Sequence, residues 1–295
     1  MDASEGGVSE HFASNALPNL LNIGNQDNSM ETGELNSIPL THAVSMHTDD
    51  QCRCKHSVES YAGKYLKQLI NLNLRDAKSE VSEQNIPAVF DFEKYGSLEG
   101  YNEYLSSVQK GNWRRQINRA AREGYYCAFF DRSSRVPDIH LVNTSTAVRA
   151  QGEMSSHYFK SIEELGGYPT ARFDFKAPKC NRHWDIWLGV FQPSEGYRQG
   201  DVVVGSRLFA YAHLRRLGDL FIYALFLGHY DYLKDGVMQL LHSYVVESIY
   251  KKSFPFLGGD NSPLLVYGGY KHGGIGRETW KRRAGFEPAT VLASE

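Results

Sequence analysis

The segment YGGYKHGGIGRETWKRRAGFEP, Tyr267 to Pro288, sets five glycines in ten residues ahead of a basic stretch that carries Trp280. Glycines allow backbone amides to approach a ligand closely, and neighbouring basic side chains would hold a phosphate or carboxylate. No lysine-serine pair makes the run a P-loop, so a plain turn between strand and helix is the competing reading. Arg277 and Lys281 stand four apart and share a helix face, leaving Trp280 and Ala284 to point inward. A second basic element is WRRQINRAAREG, where about 100° per residue places Arg114, Arg115, Arg119 and Arg122 on one side and Trp113, Ile117, Ala120 and Ala121 on another. Such a face suits the phosphates of a tRNA or a nucleotide-bearing substrate, or is simply solvated. Arg207 lies mid-strand on the side of Phe209 and Tyr211, where a cation needs a partner: a substrate anion or an acid such as Asp219. His183, His213, His242 and His272 lack metal-ligand spacing, and no metal site is expected.

The elements that position these groups can be read from periodicity. Residues 1–60 carry nine acids and two basic residues, a net -7 that leaves +5 for the rest of a chain whose total is -2. Residues 1–56 are too polar to offset their ordering entropy and read as a disordered leader. A helix is expected from Ser57 through NLNL, a strand at AVFDF, a helix from Ser97 to Val108, the arginine helix ended by Gly124, a strand at YYCAFF and a helix at EMSSHYFKSIEELGG. Three strand-like runs follow, WDIWLGVF, DVVVGSRLFAYAHL and LGDLFIYALFLG, which read as an antiparallel meander. A helix, VMQLLHSYVVESIY, comes after HYDYLKDG, then the strand PLLVYGG, the glycine-rich turn with its helix, and a last strand near ATVL. The expected domains are the leader 1–56, a helical and strand portion 57–170, and a domain 171–295. Four cysteines form no disulfide framework, and no apolar run approaches the roughly 18 residues of a membrane span, so a soluble, reducing, cytoplasmic protein is expected.

The order strand, strand, strand, helix, strand, helix, strand resembles the GNAT acyltransferase fold, an α/β (α+β) architecture with a mixed, largely antiparallel sheet flanked by helices. Within it, WRRQINRAAREGYYCAFFD resembles the R-x-I-x-[RK]-A-x-x-x-G segment of Fem-type peptidoglycan-bridge aminoacyltransferases. NTSTAVRAQGEMSSHYFKSI, DGVMQLLHSYVVESIY and LLVYGGYKHGGIGRETWKRRAGFEP resemble the segments that come next in those proteins. The likeness covers roughly residues 85–292. An acetyl-CoA enzyme of this fold carries [QR]-x-x-G-x-[GA] before the helix, whereas HYDYLKDGVMQ offers only Gly236 as a donor-binding glycine and adds Asp231 and Asp235, which would repel a pyrophosphate.

The resemblance implies transfer of an acyl or aminoacyl group from a thioester or an aminoacyl-tRNA to an amine, forming an amide. The oxyanion donor would be a backbone N–H in Leu225–His229, where the third meander strand leaves its neighbour. His229 and Asp231 are the candidate bases and Tyr211 and Tyr223 the candidate acids. Lys281 and Arg282 are carried over as groups that approach the donor's phosphate, with Arg207, Arg114, Arg115 and Arg119 as further binding residues. No tightly bound cofactor is expected; the donor is acyl-CoA, an acyl carrier or aminoacyl-tRNA, and the acceptor a small molecule or peptide amine. No DNA partner and no membrane span are expected. The alternative is a catalytically inactive binding protein of the same fold.

Overall fold

The computed structural model of this protein describes residues 40–45, 86–149, 152–257 and 263–294. The helix expected from Ser57, and the leader apart from residues 40–45, lie outside them. In chain order the elements are β1 (Leu40–Ser45), β2 (Pro87–Asp91), α1 (Phe92–Tyr95), α2 (Leu98–Gln109), α3 (Asn112–Arg122), β3 (Tyr126–Phe130) and α4 (Val136–Thr144). A small hairpin, β4 (Val148–Arg149) with β5 (Gly152–Glu153), precedes β6 (His183–Pro193); a second, β7 (Arg198–Gln199) with β8 (Val202–Val203), precedes β9 (Ser206–Leu217). Then come β10 (Leu220–Gly228), α5 (Val237–Tyr250), β11 (Leu264–Gly269), α6 (Gly274–Arg283) and β12 (Glu287–Ser294).

Eight strands form one sheet in the order β1-β12-β2-β11-β10-β9-β6-β3. The meander β6, β9, β10 is antiparallel as expected, and β11 returns parallel to β10 after the crossover through α5. The three long strands are near-continuous apolar runs because both faces of the sheet are covered. On one face, Trp113, Leu188, Val190, Leu241, Val245 and Phe286 belong to the largest core cluster, packed under α2, α3, α5 and α6. On the other, Ile139 and Val142 of α4 pack on Phe130, Phe191, Tyr211 and Leu227. Local signals hold at several ends: Ser97 caps α2 by accepting from Gly100 N–H at 3.1 Å, and Gly124, with φ +81°, closes α3.

Four expectations are corrected. Leu40–Ser45, placed in the leader, is a strand paired in parallel along its length with β12, and Val44 is buried beside Val89, Leu220 and Val291. A six-residue strand that takes its hydrogen bonds from the sheet is invisible to average composition. The boundary at residue 170 does not part the sheet, since β2 sits between β11 and β12 and β3 pairs with β6. The stretch expected as a helix after Glu153 is instead a 3-10 turn, Ser156–Tyr158, and one turn closed by a reciprocal Ser161–Glu164 box and Gly167. In α3, Ala121 is exposed while Trp113 and Ala120 are buried.

Val44→Ala removes two buried methyl groups from the β1–β12 seam and is expected to lower stability by about 1.5 kcal/mol in urea unfolding. An unchanged midpoint would mean that β1 contributes nothing to the sheet.

Candidate active site

Strand β10 follows two neighbours for unequal distances. It stays on β9 to Gly228, but pairs with β11 only where Leu220–Ile222 meet Leu264–Val266. The parting coincides with a β-bulge between Tyr223 and Leu225. His229 N–H donates to Phe209 O at 2.7 Å, so by the alternation of an antiparallel ladder the peptide groups of Phe226 and Gly228 face the gap left by β11. Their carbonyls accept from side chains there: Phe226 O from the Tyr267 hydroxyl at 3.5 Å, Gly228 O from Arg149 Nη2 at 2.8 Å. Arg149 also donates to Ser145 Oγ at 3.1 Å, and that hydroxyl oxygen accepts from Tyr230 N–H at 3.0 Å.

The gap is basic and short of counter-ions. Arg149 Nε is buried without a hydrogen-bond partner among the described residues, and burial, then Arg277, weakens the guanidinium's hold on its proton. Among the described residues no hydrogen bond or ion pair engages Arg277, whose guanidinium folds so closely over Gly273 that a Cβ there would lie 2.6 Å from it. Burial lowers the His229 pKa; Asp231 opposes this, while Arg207 and Arg149 add to it. Its Nδ1 lies 3.9 Å from the Asp231 carboxylate and has no hydrogen-bond partner among the described residues. Burial pushes the Tyr267 hydroxyl up to about 12, against the pull of Arg277 and Arg149.

The expected residues divide. His229, Asp231 and Arg207 gather at this end of β10, but Tyr211 and Tyr223 lie on opposite faces of the sheet. Tyr223 donates to His242 Nδ1 at 3.1 Å, and His242 Nε2–H donates to Ala284 O at 3.2 Å; burial drives this imidazole's pKa to about 3, so it is neutral. Tyr211 donates to Asn143 Oδ1. Arg207 and Phe209 share a side, its guanidinium 5.3 Å from the ring, but Tyr211 does not join them. A register shift between β6 and β9 leaves Phe209 as an extra residue, and it turns toward Tyr125 and Tyr232 while Tyr211 turns toward Trp187. Asp219, offered as a partner for Arg207, interacts with Arg216 instead.

The start of α5 does not face a ligand. Gly236, with φ +84°, lies so close to α3 that a Cβ would meet Gln116 O at 2.3 Å, and Asp235 pairs with Arg119 at 3.1 Å. Gly236 is therefore a helix-packing glycine and Arg119 a partly engaged cation, while Arg114, Arg115 and Arg122 are exposed. Lys281, expected beside the donor, is 1% exposed. Its ammonium donates to the carbonyls of Gly269, Tyr270 and His272, fastening the glycine-rich turn from beneath. Arg282 points away to solvent, its own carbonyl accepting from Tyr104 OH at 3.0 Å. Arg149, Tyr158, Tyr267 and Arg277 were not singled out as site residues, although Arg149 and Tyr158 fall in NTSTAVRAQGEMSSHYFKSI and the other two in the glycine-rich segment.

A cavity of about 160 Å³ adjoins the gap on the α4 face. Trp187, Tyr211 and Leu225 form its floor, Ile139 and Asn143 its α4 wall, and Tyr158 and Lys160 part of its rim. The Trp187 ring is held by His213, stacked at 4.4 Å and 11°, whose Nε2 is hydrogen-bonded to Asp185. Among the described residues no cluster of His, Cys, Asp or Glu could hold a metal ion, and no helix is long and apolar enough to cross a membrane.

No family model matches the sequence, and no match was found among curated proteins. Solved structures similar to parts of the chain include the following two. One is the structure of L-PGS from Bacillus licheniformis, at 13% identity over 61% of this chain and 43% of that one, with a TM-score of 0.34. The other is the C-terminal DUF2156 domain of a protein described as a lysylphosphatidylglycerol synthetase from Agrobacterium fabrum, at 15% identity over 69% of this chain and 57% of that one, with a TM-score of 0.36. The chain thus spans about half the length of the structures it matches.

Burial and the neighbouring Arg277 bring the Lys281 pKa down from 10.5 to about 7. Between those values the unfolded chain holds a proton that the folded protein lacks, so this group makes stability rise with pH across that window. Urea unfolding from pH 7 to 10 is expected to show the rise, and Lys281→Met to flatten it; an identical slope in both proteins would mean that Lys281 keeps its ordinary pKa.

Proposed function

We propose that this chain is an acyltransferase that moves an acyl or aminoacyl group from an aminoacyl ester or thioester onto an amine, forming an amide at the gap between β10 and β11. The observation that carries the reading is the open edge of β10 at Phe226–Gly228, with Arg149 and Tyr267 beside it. A carbonyl oxygen placed in the gap would accept from the amide of Phe226 or Gly228, a preformed donor that costs no reorganisation as negative charge develops. The amine nitrogen attacks the carbonyl carbon, and the tetrahedral intermediate collapses by breaking the C–O or C–S bond. The leaving oxygen or sulfur takes the proton of the Tyr267 hydroxyl. The amine's surplus proton passes to His229 Nδ1, which has no hydrogen bond to the described residues and lies 3.9 Å from the Asp231 carboxylate that would steady the imidazolium, and from there through solvent back to the tyrosinate.

Donor class follows from which anion sites remain. The N-terminus of α5, where a CoA pyrophosphate would sit in the fold the sequence resembles, is filled by Gln116 and the Arg119–Asp235 pair. Arg149, Arg277 and Arg207 remain for the phosphates of the donor. This favours an aminoacyl-tRNA, whose terminal phosphodiester lies next to the ester, over a CoA thioester; the exposed Arg114, Arg115 and Arg122 would meet more distant phosphates. The same filled helix end suits the second reading, a binding protein without activity.

Mass spectrometry of the products formed with charged tRNA, acyl carrier or acyl-CoA separates the two: a new amide with charged tRNA is expected, and silence with every donor while a ligand still binds would leave the binding protein. Within the enzyme reading, Tyr267→Phe is expected to lower kcat by about 10²-fold with little change in thermal stability. Full turnover in that variant removes Tyr267 from the mechanism.

A further inference from the structure

The cavity beside the gap has the size and lining of a pocket for one amino acid. Its volume of about 160 Å³ is close to the roughly 150 Å³ of an engineered apolar cavity that accepts benzene. The floor is apolar and aromatic, and the stacked pair of Trp187 and His213 keeps it rigid. Polar capacity is left over at two points. Asn143 is 4% exposed; its Oδ1 accepts from the Tyr211 hydroxyl, and its Nδ2 donates to no described protein group. At the rim, Arg132 spends Nη2 on Leu165 O at 2.7 Å and lies 5.6 Å from the Trp187 ring with further N–H groups to give, while the Lys160 ammonium has no described partner. The rim's acid, Glu164, accepts from Ser161 N–H at 2.7 Å and forms no ion pair with either cation among the described residues, so the rim keeps one positive charge in excess. An apolar floor below unmatched cations and a free amide fits an apolar body that ends in a carboxylate.

We infer that this cavity binds the acceptor, and that the acceptor is a free α-amino acid with an apolar or aromatic side chain. The carboxylate meets Arg132 and Lys160, the side chain lies on Trp187 and Leu225, and the amine turns toward the gap at Phe226, the residue that follows Leu225. The donor's aminoacyl group is the other possible source of such a side chain, but its carboxyl is esterified and would leave both cations unmatched. This assignment rests on the gap being the reaction centre.

Isothermal titration of the full chain with L-phenylalanine, L-leucine, L-phenylalanine amide and L-phenylalanine methyl ester, without any donor, tests the pocket apart from turnover. The free amino acids are expected to bind, and the amide and ester to bind at least about tenfold more weakly. Arg132→Ala and Lys160→Ala should each erase that difference, and Leu225→Trp, with folding checked by circular dichroism, should abolish binding by filling the floor. Equal binding of acid, amide and ester to the native protein overturns the assignment, as does no binding at all; preference for the ester assigns the cavity to the donor instead. Carboxylate-dependent binding without amide formation from any donor would overturn the transfer reading and leave the pocket standing.

Discussion

The structure turns on a strand that keeps one neighbour and abandons the other. β10 pairs with β11 over three residues and then parts from it at the bulge near Ala224, while its ladder with β9 continues. Backbone groups freed in this way cannot stay buried without partners. Tyr267 and Arg149 satisfy two of the freed carbonyls, and the rings of Phe226, Tyr267 and Trp280, with centroids 5.3 to 5.9 Å apart, line one side of the wedge. A pair of parallel strands zipped along their whole length would present no free amide at the sheet's centre.

Holding that wedge open is the task of groups that look chemical in isolation. His242, neutral in the core, links Tyr223 of β10 to Ala284 beyond α6, so α5 is tied to both β10 and the α6–β12 turn. Trp113 Nε1–H donates to Ser243 Oγ at 2.9 Å, and Gly236 admits α3 against the start of α5. Lys281 draws the carbonyls of the glycine-rich turn inward. Each places a polar or titratable side chain where its hydrogen bonds are used up by the scaffold, whereas the Tyr267 hydroxyl makes one long contact, 3.5 Å to Phe226 O. The residues with spare capacity, Arg149, Arg277 and His229, stand in loops or at element ends around the wedge.

Element order and type were legible because long apolar runs bounded by glycine and turn residues admit few readings. Side-chain direction was not. Two bulges each insert one residue, and each reverses which residues share a face beyond it, so Arg207 and Tyr211, two apart on either side of Phe209, came apart. Helix α4 escaped notice because its buried face includes Asp138 and Asn143, and Asp138 is held by Tyr197, by Leu208 N–H and by the Arg135 guanidinium. A polar residue buried by tertiary partners reads as a loop residue in one dimension. Lys281 misled in the opposite sense, since a lysine in a basic run gives no sign that loop carbonyls will enclose it.

The charges tell the same story at longer range. The visible run of basic residues, on α3, ends up mostly in solvent with one arginine tied to Asp235. The cations that converge come singly, from the β4–β5 hairpin, from β9 and from α6, around the imidazole of the residue after β10, and no local pattern announces them. Burial lowers the His229 pKa, with Arg207 and Arg149 adding to it and Asp231 opposing it, so His229 is a poor base while the gap holds no anion. On the proposed reading, a donor phosphate in the gap would offset Arg149 and Arg207, raise the His229 pKa against the effect of burial and so improve the imidazole as a proton acceptor. Donor binding and activation of the base would then be one electrostatic event, which requires no movement of the sheet.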